Sequence, residues 1–383
     1  MGLIRTKKNM LVIPIVLVVI GILLTLLQLT MLIGPPSGIA ITALLATAAV
    51  AIIGLVFYRW LDRWEPEPPI LFVAAFVWGA GVATFFGGIG NGITAALFGE
   101  GVAVVFSAPF GEEALKAAFL GIVLLSKRGR SELNSLTDLL VYAGTVGLGF
   151  TFIEDIQYIT QATNGEELGV LLFVRIGLGA FGHSMYQSIF AIGLWFGLRR
   201  GGAGSILGFG FLGYLGAVLL HMLHNGSSLF GIGALVIVLL LELALFIGGM
   251  IYAIRTSIGE RKNLERQLPA MIHQGWLSPS DGGWLLNTAA RKQVLARAGA
   301  NQAILKDFIQ NATELAHLRT RLDQHPGQAP NDLLAQHQHL AQLLMEQRPV
   351  VDGTLQGAQQ QVPGGWASVP AQPGQQWGPP GSR

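Results

Sequence analysis

Residues 10–34, MLVIPIVLVVIGILLTLLQLTMLIG, form an apolar run of about 25 residues preceded by Arg5, Lys7 and Lys8. A helix needs roughly 20 such residues to cross hydrocarbon. No small-residue cleavage site closes the run, so it reads as a retained first span rather than a signal peptide. Comparable runs fall near 38–58, 70–98, 102–126, 137–160, 168–198, 204–224 and 229–253. The pattern predicts an all-α fold, a polytopic membrane helix bundle of about eight transmembrane helices. The composition agrees, because 51% of the 383 residues are hydrophobic and only 12% charged, which water-soluble chains of this size rarely show.

Charge placement predicts orientation. Arg59 and Arg63, then Lys127, Arg128 and Arg130, then Arg199 and Arg200, then Arg255, Arg261 and Lys262 occupy every second connection, while the intervening loops carry neither Lys nor Arg. The positive-inside rule then puts both termini in the cytoplasm. Gly-rich segments at Gly87 to Gly92 and Gly99 to Gly101 leave the boundary between the third and fourth spans open. Pro109 suits a helix first turn, which predicts a fourth helix from there after a re-entrant or irregular piece from Glu100 to Ala108. Abundant Gly in spans three to seven predicts close helix approach. Beyond the transmembrane domain (residues 1–255), residues 256–349 are polar with Leu and Ala at helical spacing, a small soluble helical C-terminal region. Residues 350–383, rich in Gly, Gln and Pro, are expected to be disordered.

Several function classes drop out. The formal net charge of +2 offers no field for nucleic acid, and the absence of Cys excludes thiolate nucleophiles and Cys-held metals. Ionisable residues inside apolar helices are costly unless paired or hydrated, and by default they mark function. The fourth span carries Glu112-Glu113-Ala-Leu-Lys116, the fifth Phe150-Thr-Phe-Ile-Glu154-Asp155, the sixth Arg175 and His183, and the seventh His221-Met-Leu-His224-Asn225. The i,i+4 spacing places Lys116 on the face of Glu112. Helix rise and the expected orientation bring Glu112, Glu113, Glu154, His183 and His221 to overlapping depths. Two classes of carboxylate and imidazole together suit activation of a water molecule, hence hydrolysis, and Asn225 is available to donate to an oxyanion. Buried Glu, His and Arg also build proton relays, so an ion- or proton-coupled transporter is the alternative, and a catalytically silent membrane scaffold is a third reading. No inverted repeat of the transporter kind is visible.

The ordered set EExxK, FxxxE, a His in the following span and HxxxN resembles the PrsW family of intramembrane proteases, which is distantly similar to the CAAX prenyl-processing and bacteriocin-processing membrane peptidases. The segment Asp62-Arg63-Trp64-Glu65-Pro66-Glu67-Pro68 also resembles that family's loop. The resemblance covers roughly residues 55–255. It implies a membrane-embedded peptidase of metallo- or glutamic type, with Glu112, Glu113, Lys116, Glu154, His183, His221 and Asn225 in the catalytic site. It implies Glu113 as the base and Glu154, His183 and His221 as ligands for zinc or another divalent metal. It further implies membrane-anchored protein substrates of the anti-sigma-factor kind and a bacterial cell membrane. The C-terminal region has no counterpart in the resemblance, so a cytoplasmic partner for it is left open, and the near-zero net charge speaks against nucleic acid. Asp155 stands where the family often has Asn, which adds a further carboxylate.

Overall fold

The computed structural model describes residues 12–64, 67–125, 129–130, 133, 135–324 and 331–359. Arg5, Lys7, Lys8, Glu65, Pro66, Lys127, Arg128 and residues 360–383, which the sequence analysis used, lie outside the described residues. Every regular element among those described is helical. We number the long helices α1 (Val12–Leu29), α2 (Ser37–Leu61), α3 (Pro69–Phe98), α4 (Ala108–Leu125), α5 (Leu136–Ile159), α6 (Gly165–Arg200), α7 (Ala203–Ser227) and α8 (Ile232–His273).

Seven of these, all but α4, are long and apolar enough to cross a membrane, where the sequence led us to expect about eight. Glu112, Glu113 and Lys116 lower the hydropathy of α4, yet they are 5%, 0% and 1% exposed, so its charges face protein. The expected irregular piece before it is wound: Glu100–Val102 is helical and Ala103–Ser107 is a π-helix, with Pro109 in the first turn of α4 as its lack of an N–H demands.

The centre of the bundle is α5, 94% buried over its apolar window. Its start is fixed by a capping box, in which the Ser135 hydroxyl accepts from the Asp138 N–H at 3.1 Å and the Asp138 carboxylate accepts from the Ser135 N–H at 2.7 Å. The loop after α2 is tied to it. Asp62 accepts from Arg59 at 2.8 Å and from the Glu67 N–H at 2.9 Å, and Tyr142 of α5 donates to the Glu67 carboxylate at 2.7 Å. These bonds hold Asp62 and Glu67 against the core.

Small residues let α5 sit close to its neighbours. A Cβ on Gly149 would meet the carbonyl of Phe76 on α3, and one on Gly147 would meet the backbone of His183 on α6. Backbone cannot yield as a flexible side chain can, so Gly149→Ala is expected to cost about 1–3 kcal/mol or more through overpacking. The check is the thermal midpoint in detergent, with Gly88→Ala, whose Cβ would meet nothing within 4 Å, as a near-neutral reference. Equal midpoints would show that α3 and α5 can separate freely.

Helix α6 is not one continuous α-helix. Leu172–Leu178 is a π-helix, and the chain turns before Gly182, where the α-helix resumes. The turn is closed by Gly179 N–H to Val174 carbonyl at 2.8 Å and Gly182 N–H to Gly179 carbonyl at 2.9 Å. His183 therefore starts a helix rather than sitting midway along one, and π-helical segments often accompany functional sites.

The chain divides into two compact units, one of residues 6–259 and one that contains residues 260–383. The second has its own core, in which Leu305, Phe308, Leu315, Leu340 and Leu344 are fully buried. Its last described helix, Asn331–Gln359, runs past residue 350, where disorder was expected. Val351 is buried in that core, Asn301 donates to Thr354 at 3.0 Å, and Arg348 pairs with Asp352 at 2.8 Å, so these residues are held by contacts that composition does not reveal.

Candidate active site

Glu112, Glu113 and Lys116 lie within one turn of α4, and Lys116 is closer to Glu113 than to the i,i+4 partner. Its ammonium is 2.7 Å from Glu113 Oε1 and 3.7 Å from Glu112 Oε2. It also lies 2.9 Å from Nδ1 of His183 and 3.6 Å above the Phe150 ring. An ammonium can only donate, so Nδ1 accepts, and the His183 Nε2–H then donates to Glu154 Oε2 at 2.8 Å. The tautomer of His183 follows from its two neighbours.

Glu113 gathers the site. Its Oε1 faces Lys116 and His221 Nδ1, the latter at 2.9 Å, while Oε2 accepts from Gln187 at 2.6 Å. His221 stacks on Tyr186 with ring centres 5.1 Å apart, and it meets His183 edge-on at 5.0 Å. The four segments that the sequence set at similar depth thus converge on one buried cluster. Arg175 pairs with two adjacent carboxylates of α5, Glu154 and Asp155, the second at 2.6 Å, and covers the Tyr158 ring at 4.3 Å. Asp155 is therefore engaged in an ion pair with its Oδ1. Asn225 donates to the Val104 carbonyl at 2.8 Å, on the rim of a cleft that Glu154, His183 and His221 also line.

Glu112 behaves differently from Glu113. One oxygen accepts from Asn91 at 2.8 Å, but Oε2 is buried without a hydrogen-bond partner. One donor atom from each of Glu112, His183 and His221 lies within 4.8 Å of the others. A buried carboxylate oxygen without a hydrogen bond, 3.7 Å from the Lys116 ammonium, fits a divalent cation together with the two imidazoles, and two His with one Glu is a set that catalytic zinc favours; His183 would offer Nδ1, which Lys116 must release. This group contains Glu112, whereas the family resemblance implied Glu154 as a ligand; Glu154 contacts His183 and Arg175.

Residues 67–253 match the family model described as PrsW family intramembrane metalloprotease. That region, 187 of the 383 residues, is of the PrsW family. It is accordingly an integral membrane peptidase, acting on membrane proteins within a lipid bilayer, and its family is one of metalloenzymes. No curated protein and no solved structure matches the chain. The matched region contains the whole of α3 to α7, which carry the buried cluster, and α8 as far as residue 253, and it ends before the second compact unit begins.

Several contributors escaped the sequence reading. Gln187 stands one turn after His183, a position at which a polar residue points the same way. Asn91 sat inside the Gly-rich stretch whose boundaries were open. Glu242, a carboxylate in the apolar run of α8, carried the same signal as the four charged spans and accepts from Tyr186 at 2.7 Å.

Proposed function

We propose that this PrsW-family peptidase hydrolyses membrane-anchored proteins with Glu113 as the general base and a divalent metal, zinc by the chemistry of the donors, held by Glu112, His183 and His221. The observation that carries this reading is the meeting of those three donor groups beside the Oε1 atom of Glu113. A bound divalent ion supplies Lewis-acid polarisation of the scissile carbonyl and of water.

The side chains divide the remaining work. Glu113 accepts the proton as water attacks the carbonyl carbon, and it later gives that proton to the leaving amine nitrogen as the C–N bond breaks. Lys116 offsets the carboxylate's charge and places a cation near the developing oxyanion. Glu154 fixes the tautomer and ring angle of His183, and Arg175 holds Glu154 in turn. Asn225, on the cleft rim, donates to the oxyanion after releasing the Val104 carbonyl. Substrates of the anti-sigma-factor kind and a bacterial cell membrane follow from the family resemblance. The unit beyond residue 260 supplies a surface for a cytoplasmic partner if the basic loops face inward as the charge pattern predicts.

The test is metal analysis of the purified protein beside Glu112→Ala and His221→Ala, with cleavage of co-expressed single-span membrane proteins. We expect about one metal equivalent in the wild type and its loss with cleavage in both variants. Metal retained in both would dismiss this donor set, and cleavage by a metal-free protein would assign the chemistry to the carboxylates.

A further inference from the structure

Only 11% of the apolar window of α8 is buried, yet Glu242 within it is 3% exposed. A carboxylate among Leu239, Leu240, Leu241 and Leu243 is costly in a membrane helix, so its partners say what it is for. There are two, on two different helices. The Tyr186 hydroxyl of α6 donates to Oε1 at 2.7 Å, and Nδ1 of His224 on α7 lies 2.8 Å from Oε2. Phe181 and Phe246 stack beside this group with ring centres 4.8 Å apart, and with Met185 and Leu243 they line an apolar pocket at Glu242 that favours strong, dry hydrogen bonds.

Tyr186 leads from Glu242 to the cluster. Its ring lies nearly parallel to His221, at 17° and 5.1 Å, and edge-on to His183 at 5.5 Å. It is 1% exposed, so rotation about its side-chain bonds is opposed by packing on the faces and by the Glu242 bond at its tip. A carboxylate that anchors a ring, which in turn sets two imidazole planes, is a positioning device with one end in α8 and the other in the site.

We propose that Glu242 is a positioning residue of the peptidase: through the Tyr186 hydroxyl it fixes the ring planes of His221 and His183, and through His224 it secures the end of α7 that carries His221. The proposal rests on His183 and His221 being site residues. It assigns to α8 a role in the chemistry that its apolar sequence otherwise hides. Glu242 touches neither imidazole of the cluster itself and acts only through Tyr186 and His224.

The test uses the full-length protein in detergent micelles with histidine selectively labelled, the His221 ring signals being identified by their loss in His221→Ala. Wild type is expected to show one narrow His221 set shifted by the Tyr186 ring current. Glu242→Ala and Tyr186→Phe should broaden or split it, whereas Glu242→Gln, whose amide oxygen still accepts from Tyr186, should restore it. Zinc titration of the same samples should show affinity falling on the order of 10- to 100-fold in the first two variants and recovering in the third. An unchanged His221 set in both Glu242→Ala and Tyr186→Phe would overturn the proposal. If Glu242→Ala fails to fold, Tyr186→Phe decides, because it keeps the ring and removes only the hydroxyl. A wild type that binds no zinc would sink the donor set above while the ring signals still decide the role of Glu242.

Discussion

Glu113→Gln is expected to lower the rate of cleavage of a co-expressed single-span membrane protein by roughly 10²- to 10⁴-fold, the range that a positioned general base contributes. Glutamine keeps the shape and can still accept from Lys116 at the Oε1 position, now 2.7 Å away, but it cannot take a proton from water. Glu113 lies outside the group of Glu112, His183 and His221, so bound metal should be retained. The loss should appear in kcat with little change in KM, since the missing interaction exists only as the proton moves. Cleavage at near the wild-type rate would pass the role of base to another carboxylate, and Glu112 would be the first to examine.

Lys116→Met should be the most damaging change to the fold itself. Lys116 and Glu113 have fully buried side chains, and the ammonium serves Glu113, His183 and the Phe150 ring at once. Methionine fills most of the volume but leaves Glu113 a buried carboxylate without its cation. Removing one partner of a buried ion pair costs about 3–5 kcal/mol. A fall in the thermal midpoint in detergent would report this. The double variant Lys116→Met with Glu113→Gln should recover part of the loss, because no uncompensated charge remains. Additive losses in the pair would mean that Lys116 stabilises through its contacts with His183 and Phe150 rather than through Glu113.

Both expectations depend on contacts that differ in how far they could be read in advance. Lys116 follows Glu112 by four residues and Glu113 by three, and both spacings share a helix face. Sequence favoured the first. The structure gives the closer approach to the second, at 2.7 Å, because His183 from α6 and His221 from α7 draw Lys116 and Glu113 toward a common centre. Arg175 reaches both Glu154 and Asp155, since the π-helical stretch of α6 sets the guanidinium across the two carboxylates.

The solvent and the class of fold were legible along the chain, because hydrocarbon demands long apolar helices whose length and flanking charges are local properties. Also legible was that Glu112, Glu113, Lys116, Glu154, His183 and His221 needed a common explanation, since each is expensive in an apolar helix and none could be paired within its own span except the α4 group. Tertiary structure alone decided how they meet. The break in α6 that starts a helix at His183, the glycine contacts of α5, the Gln187 bond to Glu113 and the path from Glu242 through Tyr186 all join residues far apart along the chain. Such contacts depend on how side chains of separate helices interlock, and helix periodicity carries no record of which face meets which neighbour.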